Sequence, residues 1–197
     1  MSNQTPLHAL INGRLALFQE FLKHPREIGS VISSSRFLEC RLVETAGIGS
    51  AKIVVELGPG TGGTTRAILK AMPHRSKLLC VERNPHLHTL VSRIEDDRLI
   101  VHHGDAIALK KILSNYGLNA PEVLISGIPF STMSHGSGSR IVETISSVLA
   151  PGGRFVAYQV SNRVAFLSRP ILGYGQMKVE FFNIPPLRVY RWEKNSA

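Results

Sequence analysis

Apolar positions change rhythm along the chain. Over residues 7–22, Leu7, Leu10, Ile11, Leu15, Phe18 and Leu22 recur at steps of three and four, the spacing of a single helix face. Thr5 is placed to cap that helix, Pro6 suits its first position, and Pro25 stops it. Ser33, Ser34 and Ser35 offer N-cap hydroxyls to a second helix over 36–46, closed by Gly47 and Gly49. From residue 52 short apolar runs alternate with helical patterns. Strands are predicted over 52–57, 78–82, 99–103, 123–126 and 154–160, and helices over 64–72, 85–94, 107–116 and 140–149. Such alternation builds a parallel sheet covered on both faces. Residues 134–139, rich in Ser and Gly, read as a mobile loop after the fourth strand. Residues 178–182 and 188–192 lie too close for a crossover helix, so they are expected to pair antiparallel.

The 197 residues are 43% hydrophobic and 19% charged, which excludes a disordered tail, a coiled coil or a collagen-like chain. One domain over 1–197 is expected, with 1–49 as a helical lead-in and 50–197 as the α/β core. No run reaches the roughly 18 apolar residues of a membrane span. The first thirteen residues lack Lys and Arg, so no secretory signal is expected. Cys40 and Cys80 stand far apart and outside any CxxC motif, which predicts a reduced, cytoplasmic protein. Charge adds a direction: 23 Lys and Arg against 14 acids give +9, favouring anionic partners such as nucleic acid, anionic head groups or phosphorylated substrates. The basic residues are scattered rather than blocked into a nucleic-acid arm.

Candidate chemistry sits at strand ends. Glu56-Leu57-Gly58-Pro59-Gly60-Thr61-Gly62-Gly63 turns the first sheet strand into its helix, where glycines let backbone approach a ligand closely. The spacing reads as GxGxG through Gly58, Gly60 and Gly62, and equally as the dinucleotide GxGxxG through Gly58, Gly60 and Gly63. Glu82 ends the second strand, where a carboxylate accepts both hydroxyls of a ribose. Asp105 follows the third strand, placed either to accept from an adenine amino group or to cap the next helix. Together they form a constellation at three successive strand ends. The pairs His86/His88 and His102/His103 lack further clustered ligands, so no metal site is expected. No GxSxG or Cys/His signature points to a nucleophile.

This constellation, with helices before the first strand and an antiparallel tail, resembles the class I S-adenosylmethionine-dependent methyltransferases. The resemblance implies a Rossmann-like α/β fold with a seven-stranded, mostly parallel sheet in the order 3-2-1-4-5-7-6, its last strand antiparallel. It implies S-adenosyl-L-methionine as cofactor at the carboxyl ends of the strands. Its binding residues would be Glu56 near the methionyl amino group, the loop Gly58, Gly60, Thr61 and Gly62, then Glu82 with Arg83, and Asp105 with Ala106.

Within that class two subfamilies compete. Ribosomal RNA adenine dimethylases carry Asn-Ile/Leu-Pro-Tyr/Phe after the fourth strand, the Asn holding the target amine and the aromatic residue stacking on the flipped base. Here Ser126-Gly127-Ile128-Pro129-Phe130 puts glycine at the amide position, and glycine cannot hold an adenine amine. The chain more closely resembles the small bacterial phospholipid N-methyltransferases. Pro25-Arg26-Glu27-Ile28-Gly29, Ser34-Ser35-Arg36, ELGPGTG, Ser126-Gly127-Ile128-Pro129, Tyr158-Gln159 and Asn183-Ile184-Pro185-Pro186 before Val189-Tyr190 carry that likeness. Ser33 in place of a usual proline, Phe130 in place of leucine, and Val160-Ser161-Asn162 in place of an aromatic run depart from it.

The resemblance implies N-methylation of the ethanolamine head group of a phospholipid, phosphatidylethanolamine towards phosphatidylcholine. The alternatives are a ribosomal RNA adenine-N6 or small-amine methyltransferase, and an S-adenosylmethionine-binding regulatory protein. No catalytic base is legible. Ser126 and Tyr158 are candidates for contacting the cofactor or the amine, Tyr158 equally a core tyrosine of the fifth strand. Ser35, Arg36 and Pro129 are placed towards the substrate, and Arg36, Arg163 or Arg191 towards a lipid phosphate. The amphipathic stripe of 7–22 and the +9 charge predict transient, peripheral contact with an anionic membrane at its inner face.

Overall fold

The structure, a computed structural model, describes residues 36–182 and 186–195. The predicted helix over 7–22, the caps Ser33, Ser34 and Ser35, and Asn183-Ile184-Pro185 lie outside the described residues. The described elements belong to one compact unit, Ser34–Ala197. In chain order they are α1 (Arg36–Ala46), β1 (Ile53–Leu57), α2 (Gly63–Ala71), β2 (Lys77–Glu82), α3 (Pro85–Val91), β3 (Leu99–His103) and α4 (Leu109–Asn115). Then come β4 (Val123–Ser126), α5 (His135–Val148), β5 (Arg154–Gln159), α6 (Arg163–Leu172), β6 (Gln176–Glu180) and β7 (Leu187–Glu193).

The seven strands form one sheet in the order β3-β2-β1-β4-β5-β7-β6. β1 to β5 run parallel, and β7 is antiparallel to both β5 and β6. The inner strands read as continuous apolar runs because both of their faces are covered. Val54, Leu78, Cys80, Val123 and Val156 meet Leu38, Leu42 and Ile68 of α1 and α2 on one face. Val55, Leu57, Leu79, Leu124 and Phe155 meet Leu109, Ile141, Ile145 and Leu167 of α4, α5 and α6 on the other. The central parallel strands therefore deliver their carboxyl ends to one edge.

Beyond shifted bounds, such as α3 ending at Val91 and β6 at Glu180, two segments differ from the sequence expectation. Residues 135–139 are the first turns of α5, not a loop: Ser134 caps the helix by accepting from Ser137 N–H at 3.2 Å. Gly138 packs against α6: a Cβ there would lie 2.6 Å from the terminal Cδ1 of Leu167, so any larger residue would require the Leu167 side chain to move. The other difference is α6 itself, whose Val164, Leu167 and Ser168 are buried. It carries the chain back along the sheet, so β6 runs in the direction of β5 and forms a hairpin with β7.

Candidate functional site

After β1 the chain turns through Gly58, Gly60 and Gly62, at φ of 70°, 60° and 86°. These left-handed values favour glycine. Gly63 has no such φ and opens α2, so the local geometry is that of the GxGxG reading. Gly58 N–H donates to Val81 O at 2.9 Å, tying the loop to β2. Nothing lies within 4 Å of a Cβ built on Gly60, so this turn faces open space.

Glu56 lies beneath the loop, 0% exposed. Its Oε2 accepts from Thr65 Oγ1 at 2.7 Å and from Cys80 Sγ at 3.2 Å, while its Oε1 is buried with no partner among the described residues. Burial pushes its pKa up to about 7 against those two hydrogen bonds, with the Glu82 charge adding to the rise. An unpartnered buried acceptor of this kind is costly unless a donor arrives.

Glu82 stands beside the loop. Its Oε1 accepts from Asn84 N–H at 2.8 Å and its Oε2 faces Gly60 N–H at 3.4 Å. Burial raises its pKa, opposed by backbone N–H groups of Asn84, Gly60 and Arg83. The backbone thereby orients the carboxylate at the sheet edge. At the end of β3, Asp105 accepts from Ile107 N–H at 2.9 Å and caps the turn that begins at Ala106. Its other oxygen lies 3.9 Å from Arg83 Nη1, and both side chains are exposed enough for water to screen that pair. The structure thus brings Glu56, the three glycines, Thr61 and Glu82 to one edge, with Arg83, Asp105 and Ala106 along it.

The neighbouring part of the edge is built from β4 and β5. Ser126 is buried, and its Oγ accepts from Ile128 N–H at 3.3 Å. Gln159 Nε2 donates to Ile128 O at 2.6 Å, so two side chains hold the turn after β4. Pro129 is half-buried and Phe130 is wholly within the core. Gly127 is the tightest point: a Cβ there would collide with the Tyr158 hydroxyl and lie 2.8 Å from Gly58 O. Burial, chiefly, holds the Tyr158 phenol well above the usual range, so it stays protonated and keeps its donor.

The other expected residues scatter. Arg36 is exposed at the start of α1, and Ser35 lies outside the described residues. Arg191 pairs with Glu193 at 2.7 Å and aligns with Val156, in the middle of β5 rather than at its carboxyl end. Arg163 opens α6 with its Nε buried and unpartnered among the described residues. Among those residues no three His, Cys, Asp or Glu side chains gather as a metal site. Sequence reasoning missed Thr65 and Cys80 as the groups that hold Glu56, and met Gln159 only as part of a motif. These roles arise from contacts between separate elements: Thr65 of α2 and Cys80 of β2 with Glu56, and Gln159 of β5 with the turn after β4.

Comparison with known proteins decides the family. Over 138 residues the chain is 30% identical to an ornithine lipid N-methyltransferase of Singulisphaera acidiphila, a match spanning 69% of this chain and 72% of the relative. The chain belongs to the class I S-adenosylmethionine-dependent methyltransferases. A ribosomal RNA small subunit methyltransferase A of Phenylobacterium zucineum is 28% identical over 93 residues, 46% of this methyltransferase and 31% of that relative. The N-methyltransferase NodS of Bradyrhizobium japonicum shares the methyltransferase fold at a TM-score of 0.66 and 11% identity, over 83% of this chain and 99% of NodS. No family model matches the sequence.

Proposed function

We propose that this methyltransferase N-methylates the amine of a membrane lipid, taking the ethanolamine head group of phosphatidylethanolamine towards phosphatidylcholine. The observation carrying this reading is the crowding at Gly127, where the Tyr158 hydroxyl and Gly58 O take the space that an asparagine amide needs. With Phe130 buried in the core, the turn after β4 offers neither the amide nor the stacking ring of an adenine dimethylase. The lipid activity in the name of the Singulisphaera relative supports a lipid amine and makes ornithine lipid a second acceptor to test.

S-adenosyl-L-methionine fits the carboxyl edge. The orphan Glu56 Oε1 matches a cationic amino group, and the open space over Gly60 admits a ligand against bare backbone. Glu82 is assigned to the ribose hydroxyls, and Thr61, Arg83, Asp105 and Ala106 to the adenosine end. When bound, the cofactor supplies an electrophilic methyl group. The chain's own work is placement. Tyr158, neutral and fixed against Gly127, orients the acceptor nitrogen through its hydroxyl, while Ser126 and Gln159 hold the turn that forms the wall. Orientation of this kind supplies part of the ~7–11 kcal/mol that proximity effects reach. A neutral amine needs no further base, and its surplus proton leaves to water. Ser35, Arg36, Pro129 and Arg163 are assigned to the lipid side, with transient peripheral contact at an anionic membrane. Among the described residues no helix is long and apolar enough to cross one.

The test is radiolabelled methyl transfer run side by side on phosphatidylethanolamine vesicles, ornithine lipid vesicles, ribosomal subunits and a pool of small amines. Label in lipid is expected. Label in RNA alone rejects the reading, and cofactor binding without transfer to any acceptor favours a regulatory protein.

A further inference from the structure

We propose that Phe37, Phe181 and Phe182 form an aromatic anchor that enters the interface of an anionic phospholipid bilayer. The inference rests on the lipid-acceptor reading and names the surface that would serve it. Phenylalanine is among the most buried residue types, yet these three are 60%, 73% and 72% exposed. The Phe37 and Phe182 rings lie 4.9 Å apart at 32°, so they form a cluster rather than isolated surface residues.

The cluster is held in place. Glu180, buried at the end of β6, accepts from Arg41 Nε through Oε2 and from Phe182 N–H through Oε1, both at 3.0 Å. Arg41 lies one helical turn beyond Phe37 on α1, so the ion pair and the ring pair clamp the same two segments together. Removing a carboxylate from water is expensive, and here the arrangement holds two rings in solvent instead of burying them. That is the behaviour of a surface awaiting an apolar phase.

Its position suits lipid delivery. β6 runs in the direction of β5, and Glu180 aligns with Leu187, one residue beyond the Arg188–Gln159 pair at the carboxyl end of β5. The rings therefore stand at the same edge as Gly127. They lie three strand steps from β4, about 14 Å along the sheet, on the side away from the glycine loop. Charge complements an anionic surface: the chain carries +9, Arg36 adjoins Phe37, and Lys178 is exposed on the strand that ends at Glu180. Of the acids on α1 and β6, Glu180 is paired, Glu39 is half-buried, and Glu44, exposed, lies two turns beyond Phe37. Aromatic rings with surrounding cations are the composition of an interfacial contact.

The full chain and the double variant Phe181→Ser/Phe182→Ser are compared on vesicles of equimolar phosphatidylethanolamine and phosphatidylglycerol, with folding checked by circular dichroism. Partitioning of the variant should be at least about tenfold weaker, and vesicle methylation should fall with it. Turnover of dispersed short-chain phosphatidylethanolamine and cofactor affinity should stay unchanged. In Phe182→Trp, tryptophan emission should shift to the blue on adding vesicles and be quenched by brominated lipid, over the constant background of buried Trp192. Equal partitioning of the folded double variant overturns the anchor. So does an equal loss of turnover on dispersed lipid, which would put the rings in the acceptor site. A wild-type dimer that the variant abolishes overturns it too, by giving the rings to a second copy. Vesicle binding lost in the double variant, with no methylation of any lipid by the wild type, supports the anchor and breaks the acceptor reading instead.

Discussion

The two halves of the sheet edge are built in different ways. Along β1, β2 and β3 each functional group stands within a few residues of its strand end. Near neighbours turn Glu82 and Asp105, while Thr65 and Cys80 hold Glu56 from farther along the chain. Asn84 N–H turns Glu82, and Ile107 N–H turns Asp105. Along β4, β5, β7 and β6 the shape comes from distant pairs: Gln159 on Ile128, Tyr158 against Gly127, and Arg41 on Glu180. The first half is thus specified by spacing, the second by complementarity. Substitutions in the first should alter ligand affinity with the turn after β4 intact. Substitutions in the second should move that turn while the cofactor still binds.

The largest effect is expected at Glu56. Glu56→Gln should weaken S-adenosylmethionine about 100-fold in calorimetric titration, through loss of charge beside a cationic amino group. Stability should move the other way. The folded pKa is raised from 4.5 to about 7, so the stabilising proton is held fully below 4.5 and lost as pH rises through 7. The ligand-free wild type should therefore melt lower at about pH 8 than at about pH 5, by an amount on the order of 3 kcal/mol in stability, while Glu56→Gln lacks this component. Cofactor binding by the wild type should strengthen over the same rise. A pH-independent affinity would remove Glu56 from the cofactor site.

Gly127→Ala tests the other half. The new methyl meets both a hydroxyl and a backbone carbonyl, so it should destabilise the fold by about 1–3 kcal/mol and cut methyl transfer. Cofactor affinity should fall as well, but by less than transfer does, because Gly58 O belongs to the glycine loop. Adding Tyr158→Phe removes only the hydroxyl and should restore part of the melting temperature. Full activity in Gly127→Ala would dissolve the distinction between the halves.

A smaller loss is expected for Gln159→Leu, which leaves Ile128 O without its donor at a cost of about 1–2 kcal/mol. Its signature is a KM for lipid that rises more than the Kd for cofactor. Smallest is Asp105→Asn. The amide oxygen still caps the turn, so melting should move by less than ~0.5 kcal/mol, and any change in cofactor affinity then reports on ligand contact. An unchanged affinity would leave Asp105 with capping alone.

Much of the fold is legible in the sequence. β3 and β4 have the predicted bounds, and α1 runs over the predicted 36–46, because their apolar runs are bounded by Gly, Pro and polar residues. α6 was missed although Val164, Leu167, Ser168 and Ile171 follow helical spacing. Pro170 in its last turn interrupts the pattern. Residues 135–139 read as a loop because Ser and Gly are turn residues by composition, whereas in the structure Ser134 caps the helix and Gly138 packs against Leu167.

The sequence by itself determined the alternation of strands and helices, the glycine turn and the acids at successive strand ends. Those features rest on backbone preferences and on neighbours a few residues apart, and such interactions are written in local order. Only the tertiary structure decided which oxygen of Glu56 lacks a donor, that Tyr158 closes the space at Gly127, and that Glu180 holds two phenylalanines at the surface. Each depends on where residues tens of positions apart come to rest. Burial and steric exclusion act through that packing, and spacing along the chain does not encode it.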